Sequence, residues 1–506
     1  MFFNTPVFLI FLVIVLLIYY WIDNRYRNGL LVLASYVFYL YQGAIFGLFL
    51  VLATLTSYLA ALAMARMGAK SRGARGILSL SLSLFVGVLL FFKYHPTLFS
   101  LLGGNWQYRS ILVPLGVSFL TFQIMGYMID VCRGNMEAER NIIRHALFCS
   151  FFPVVVAGPI QRSSDLVPQF RQDHPFCYST FVNGMQRFLT GAFKKTVMAD
   201  GLYIFVGAVL NHDSVRDYTG LTLLLAVILY SFQLYFDFSG YSDMAAGVAG
   251  MLGFTIRENF RSPYLATNVT GVWKRWHTSL TTWLTDYVFT PLVWSRWWNK
   301  LFHGKKWQDH PPHFATNILI VFLLSGLWHG DTLHGGSPMI FLVWGALHAI
   351  YRLGEEALHA IFGKPKKATG IVRGIKTVGT FSLWSFSLLI FCSKTLDDVL
   401  YVVTHLFSNL SPRLLLNNVL YLFTEGIGDT GVYRLLIFGT LITGGVIMAI
   451  FDGMTYPGGS SLNPLAAISS RRRWLLYWFF GLSILFFFMI SMTRLNGTPS
   501  FAYANF

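Results

Sequence analysis

The stretch WKRWHTSLTTWLTDYVFTPL occupies positions 273–292 and joins a short basic motif to an apolar segment. The motif ends in His277, and a second histidine, His329, closes a nearly uncharged run that begins at Asn317. Ionisable side chains at membrane depth cost free energy, so they persist mainly where they face a protein interior and serve a function. We therefore expect the two histidines to mark a reaction centre that the rest of the chain houses.

The composition predicts an all-α, polytopic membrane protein. Of the 506 residues, 55% are hydrophobic and 12% are charged, whereas a soluble protein carries about 25% charged residues. Several apolar runs reach the length of about 20 residues that a helix needs to cross a bilayer. The net charge of +16 lies in short loops between these runs, so it does not indicate a nucleic-acid-binding surface.

The basic loops predict the orientation of the chain. Clusters of arginine and lysine at 25–27, 66–75 and 471–473 belong in the cytoplasm by the positive-inside rule. Both termini, including the tail 494–506, are then extracytoplasmic. An even number of spans follows, and we expect about twelve.

Two segments predict departures from simple spanning helices. Proline and glycine are dense at 114–116 and 149–160, which favours broken or re-entrant helices that line a cavity or a central tunnel. The segment 181–195 is amphipathic and carries Arg187 and Lys195, so we expect it to lie along the membrane surface.

The sequence predicts no metal site and no disulfide framework. Its four cysteines lack CxxC spacing. His303, His310 and His313 fall in a basic loop without a known ligand spacing, which favours a solvated loop.

Several short motifs lie along the chain: PLGVSF at 114–119, FFP at 151–153, AGPI at 157–160, YFDFSGYSD at 235–243, ENF at 258–260 with PY at 263–264, RWH at 275–277, WLTDY at 283–287 and GLWHG at 326–330. Taken together, these motifs resemble the membrane-bound O-acyltransferase (MBOAT) family, in particular its bacterial alginate and peptidoglycan O-acetyltransferase branch. The similarity covers 112–348 well within a single membrane domain, 1–506.

The resemblance implies transfer of an acyl group from a cytoplasmic thioester, acetyl-CoA, to a hydroxyl. A hydroxyl needs a base to remove its proton, and neutral histidine suits this role. We expect His329 to be that base and His277 to position the thioester or stabilise the oxyanion. Lys274 and Arg275 are the residues expected to bind the donor's phosphates.

Each of these assignments has a structural alternative. Either histidine could be a buried residue satisfied by a backbone carbonyl, and Lys274 and Arg275 could simply mark the cytoplasmic side. Asp237 and Asp243 either orient a histidine or Arg275, or form a buried hydrogen-bonded pair.

The C-terminal FAYANF, at 501–506, resembles the tail of some family members in which a tyrosine is proposed as an acyl relay. Tyr503 would carry the acyl group as an activated aryl ester on the outer face. The alternative is an aromatic anchor at the interface.

The expected acceptor is a secreted or cell-wall polysaccharide, reached through an extracytoplasmic partner protein from a bacterial inner membrane. Alginate enzymes usually follow the DY segment with a PLGG-type turn, whereas this chain continues PLVWS at 291–295, so the polysaccharide stays open. Alternatives are D-alanyl transfer from a carrier-protein thioester, modification of a lipid or a protein, and a transporter or channel. The lack of a repeat argues against the last.

Overall fold

The computed structural model describes residues 1–41, 43–101, 113–114, 116–302, 310–330, 338–363, 369–424, 431–455 and 463–494. Within these ranges every regular element is a helix, which confirms the predicted all-α class. The α-helices are α1 Pro6–Trp21, α2 Asn24–Leu40, α3 Ala44–Met67, α4 Arg72–Leu101, α5 Val117–Arg133, α6 Ile142–Ser150, α7 Ser163–Leu166, α8 Tyr178–Phe193, α9 Asp200–Val209, α10 Gly220–Met251, α11 Val269–Trp273, α12 Thr278–Leu284, α13 Thr290–Trp294, α14 Arg296–Leu301, α15 Pro311–His329, α16 Pro338–Phe362, α17 Gly370–Cys392, α18 Leu396–His405, α19 Pro412–Thr424, α20 Gly431–Thr455 and α21 Ser470–Arg494.

Seven of the described helices are long and apolar enough to cross a bilayer, which confirms a multi-pass membrane protein. Helix α1 is a shorter apolar helix of 16 residues. The total of about twelve spans and the tunnel stay predictions. The seven spans are Ala44–Met67, Arg72–Thr97, Gly220–Met251, Pro311–His329, Gly370–Cys392, Val432–Thr455 and Ser470–Ser491.

The chain folds into two compact units. Unit 1 comprises Met1–Ala192 and Gly240–Glu258, and unit 2 comprises Phe193–Ser239 and Asn259–Phe506. Helix α10 therefore contributes its last turns to unit 1 and its first part to unit 2.

Within unit 1, α8 packs against the end of α10 through paired glycines. A Cβ atom on Gly184 would lie 2.7 Å from the carbonyl oxygen of Gly247, and one on Gly191 would lie 2.6 Å from that of Gly240. Because no side chain separates the two backbones, the helices approach closely.

This packing covers one face of 181–195, whose expected position along the membrane surface stays a prediction. Arg187 is largely buried on α8 and donates to Asp243 at 3.1 Å and to Glu258 at 2.7 Å. Its two carboxylate partners come from α10 and the loop after it, so the charged face of α8 points to protein. The non-helical segment 151–162 is buried throughout, as expected for a broken helix.

In unit 2, α15 and α16 form a tightly packed pair. A Cβ on Gly326 would collide with the carbonyl oxygen of Phe341, and one on Gly345 would collide with that of Phe322. These contacts fix the end of α15, where the predicted base stands.

Candidate active site

The backbone of His277 is held in a left-handed conformation at the start of α12. Its φ is 43°, which is uncommon for a residue with a side chain. Two hydrogen bonds to the neighbouring loop flank it: Arg261 N donates to Arg275 O, and Thr278 N donates to Asn259 O, each at 3.0 Å. The loop therefore sets the direction of the His277 ring.

The amide of Asn259 defines the tautomer of His277. Its Oδ1 accepts from the Ser279 hydroxyl at 2.6 Å and from the Ser279 backbone N–H at 3.3 Å, so this atom is an acceptor. The Nδ1 of His277 lies 3.3 Å from the same oxygen and must be the protonated nitrogen. The lone pair of the neutral ring is then on Nε2. Asn259 was not predicted as a site residue.

The His277 ring lies in an aromatic, buried setting. It is 1% exposed, and the Phe238 ring packs edge-on against it with centroids 4.7 Å apart. Burial lowers the pKa of His277 to about 3, so the ring is neutral at neutral pH.

His329 is the last residue of α15 and is 4% exposed. Its ring lies among Trp328, Trp344 and Phe391, with centroid distances of 4.6, 5.3 and 5.2 Å. Trp328 also contacts His277, at 5.8 Å between ring centroids. The structure thus brings the two predicted histidines to one indole, although 52 positions separate them in the sequence.

An apolar cavity of about 300 Å³ lies beside this pair. Ser325 lines it one helical turn before His329, and Leu280 lines it three positions after His277, whereas its described lining includes neither histidine. The remaining lining residues are Thr270, Trp273, Lys274, Thr281, Leu284, Thr285, Phe289, Ile318, Val321, Phe322 and Arg352.

Two features give this cavity polarity at defined points. Lys274 and Arg352 are its two cationic lining residues. The Oγ of Ser325 is buried and has no hydrogen-bond partner among the residues that the structure describes. A largely apolar space with few polar groups is typical of a small-molecule site.

The two predicted phosphate-binding residues differ in their positions. Lys274 is exposed and lines the cavity. Arg275 donates to the backbone carbonyl of Arg261 at 3.3 Å, on the loop that holds His277. Arg352 lines the cavity as well and was not predicted.

Unit 2 also contains a cluster of buried charged side chains around Lys195. The ammonium group of Lys195 is 2.7 Å from a carboxylate oxygen of Asp200 and 2.7 Å from one of Asp237. Lys195 stands on the π-helical turn Lys194–Ala199, a local distortion often found at functional sites. Asp237 therefore has a lysine partner, which the sequence analysis did not propose.

Two predicted features fall outside the described residues. These are Tyr503 in the tail and His303 in the basic loop. The four cysteines are in the thiol form.

A multi-pass helical membrane protein with two buried histidines near an apolar cavity fits a membrane acyltransferase. The profile of MBOAT, the membrane-bound O-acyltransferase family, matches residues 139–392. The chain belongs to this family, and it is an O-acyltransferase.

The relatives of this chain are named for different acceptors. The chain is 36% identical over 407 residues to the "Probable alginate O-acetylase AlgI" of Pseudomonas aeruginosa, which covers 78% of this chain and 73% of that protein. It is 30% identical over 446 residues to the "Peptidoglycan O-acetyltransferase" of Helicobacter pylori, covering 79% of each. It is 29% identical over 262 residues to the "Teichoic acid D-alanyltransferase" of Bacillus subtilis, covering 48% of this chain and 58% of that protein.

Proposed function

We propose that this enzyme transfers acetyl groups from cytoplasmic acetyl-CoA across the bacterial inner membrane for O-acetylation of a secreted or cell-wall polysaccharide. The apolar cavity beside the two histidines is the observation that carries this proposal. Its walls suit the acyl group and the uncharged arm of a thioester. Lys274 and Arg352 suit the phosphates at the other end of that donor.

The proposed chemistry needs one base and one leaving group. The oxygen of an acceptor hydroxyl bonds to the acyl carbon as His329 removes the hydroxyl proton, and the carbon–sulfur bond breaks. The proton then passes from His329 to the departing thiolate, so the products are an ester and a thiol.

The hydrogen bond from His277 to Asn259 refines the expected role of His277. A neutral ring that is protonated on Nδ1 presents an acceptor on Nε2, which cannot donate to an oxyanion. Of the two expected roles, this leaves His277 the positioning of the thioester.

The outward direction rests on the distribution of basic loops. With 25–27, 66–75 and 471–473 in the cytoplasm, the donor enters from inside and both termini lie outside. An extracytoplasmic partner protein would complete the transfer to the polysaccharide.

Tyr503 is proposed as the outer acyl carrier. The variant Tyr503→Phe keeps the aromatic ring and removes the hydroxyl that would be esterified. We expect it to abolish polysaccharide acetylation in cells at normal protein levels, while Tyr477→Phe, on α21, leaves acetylation intact. Full acetylation by Tyr503→Phe would end the relay hypothesis.

A second candidate is D-alanyl transfer from a carrier-protein thioester, which the similarity to the Bacillus subtilis protein favours. The two donors are distinguished in proteoliposomes. Radiolabelled acetyl-CoA or D-alanyl carrier protein is added to the medium around inside-out vesicles, which exposes the cytoplasmic face of the enzyme to the donor. The release of free thiol is then measured.

We expect thiol release from acetyl-CoA, and a loss of about 100-fold or more in His329→Ala. His405→Ala, a histidine on α18, is the matched control and should retain full activity. Release from the carrier protein alone would replace acetyl-CoA as the donor, and equal activity of His329→Ala would overturn the proposed base.

A further inference from the structure

A second cavity lies wholly within unit 1. It measures about 490 Å³ and is built from the end of α1, the first turns of α2, the start of α6, and the segment 170–174. Four arginines line it: Arg25, Arg27, Arg144 and Arg171. The wall also contains four side-chain amides, which add hydrogen-bond donors: Asn24, Asn28, Asn141 and Gln172.

The positive charge in this wall is only partly balanced. The buried carboxylate of Glu139 accepts from Arg144 at 3.0 Å and from Arg171 at 2.7 Å, so one acid serves two guanidinium groups. Arg27 donates to the carbonyl oxygen of His174 at 2.7 Å, which leaves its charge uncompensated by that bond. Two exposed acids stand at the margin: Asp23 pairs with Arg25 at 3.3 Å, and Asp173 accepts from Asn24.

Two of these guanidinium groups keep unused donors. The Nε atoms of Arg27 and Arg144 are buried and have no hydrogen-bond partner within the described part of the chain. A buried donor without a partner costs free energy, so a bound acceptor would stabilise this arrangement. Guanidinium groups match the oxygens of a phosphate better than other cations do.

The position of the cavity along α1 favours a ligand at the membrane surface. Tyr19 lines the cavity, and the Arg27 guanidinium lies 4.8 Å from its ring centroid. The outer face of the same helix is apolar and exposed, with Leu17 68% exposed and Trp21 86% exposed. Exposed tryptophan at the end of an apolar helix is typical of the bilayer interface.

We propose that this cavity binds a phosphate-bearing ligand, and that the phosphate belongs to the headgroup of an anionic phospholipid of the inner leaflet. The same chemistry would accept a soluble phosphate compound, and the experiment separates these sources. The proposal is independent of the acyl-transfer reaction.

The test uses the full chain in neutral detergent with phosphatidylglycerol or phosphatidylcholine added, and measures bound lipid by native mass spectrometry. Parallel samples receive inorganic phosphate or ADP. Arg27→Gln and Arg171→Gln each remove one cavity guanidinium. Arg72→Gln, at the start of α4, makes the same charge change outside the cavity. Thermal melting confirms that each variant is folded.

We expect phosphatidylglycerol to bind about tenfold more tightly than phosphatidylcholine to the unaltered protein. Arg27→Gln and Arg171→Gln should remove most of that preference, and Arg72→Gln should change it by no more than about twofold. Competition by inorganic phosphate or ADP at similar affinity would assign the site to a soluble phosphate compound. Equal binding of the two lipids without phosphate or ADP binding, or an equal loss in Arg72→Gln, would overturn the proposal.

Discussion

The apolar cavity of unit 2 and the arginine-lined cavity of unit 1 differ in size, polarity and charge. The cavity in unit 2 measures about 300 Å³ and is mostly apolar, with two cations and one buried hydroxyl. The cavity in unit 1 measures about 490 Å³ and is lined by four arginines and several amides. In an apolar space a single charge or proton acceptor acts strongly, because little water screens it. A polar, charged space binds by matching charge and hydrogen bonds instead.

This contrast explains why chemistry is expected in only one cavity. An imidazole in its neutral form has a lone pair available, which suits proton removal in unit 2. The arginines of unit 1 stay protonated in any protein and can hold an anion but not accept a proton. The following changes test whether the two cavities really work in these separate ways.

The largest loss of acyl transfer should come from filling the apolar cavity. Ser325→Leu adds volume beside His329 and should lower acyl transfer by about 100-fold, because small displacements of reacting groups are costly. Ser325→Ala removes the hydroxyl without adding volume and is the matched control. The measurement is the rate of thiol release from acetyl-CoA together with phosphatidylglycerol binding.

Lipid binding should stay unchanged in both Ser325 variants. If Ser325→Leu transfers acyl groups as fast as Ser325→Ala, the cavity in unit 2 does not hold the donor. If both variants lose activity equally, the Ser325 hydroxyl itself is required, so its hydrogen bonding matters and the volume of the side chain does not.

A smaller effect should come from the cations of the apolar cavity. Lys274→Gln removes a charge that is proposed to bind phosphate, so it should raise the KM for acetyl-CoA about tenfold with little change in kcat. Lys300→Gln, on α14, is the control for a general loss of positive charge. A fall in kcat with an unchanged KM would contradict the assignment of Lys274 to donor binding.

The sequence predicts the apolar site better than the polar one. Hydropathy and the motifs at 275–277 and 326–330 are enough to place His277 and His329 in one membrane-protein centre. Asn259, the partner of His277, lies in the family-like stretch ENF at 258–260, but that stretch alone gives the asparagine no role. Its role appears only when the loop folds against the start of α12.

The sequence does not show which charged residues pair with one another. Lys195 and Asp237 are 42 positions apart, and an amphipathic pattern alone predicts that such a lysine faces solvent. In the unit 1 cavity, Arg27 belongs to the basic cluster at 25–27, which the positive-inside rule already explains, and Arg144 lies on α6, outside the basic clusters that predict orientation. Only the fold shows that the two arginines share a cavity.

The smallest effect should come from Glu139, the buried acid that supports the polar cavity. Burial alone raises the pKa of Glu139, but hydrogen bonds from Arg144, Arg171 and the Asn141 backbone lower it to about 2. A carboxylate with a lowered pKa stabilises the fold fully above its ordinary value of 4.5 and loses this effect as the pH falls toward about 2. Glu139→Gln should therefore lower the melting temperature at neutral pH by about 3 °C or more.

The difference in melting temperature between Glu139→Gln and the unaltered protein should shrink as the pH drops below 4.5. Glu137→Gln, an exposed acid in the same loop, is the matched control and should have little effect at any pH. A difference that stays constant with pH would mean that the carboxylate charge does not stabilise unit 1. An altered KM for acetyl-CoA in Glu139→Gln would instead mean that the polar cavity takes part in donor binding, and the separation between the two cavities would fail.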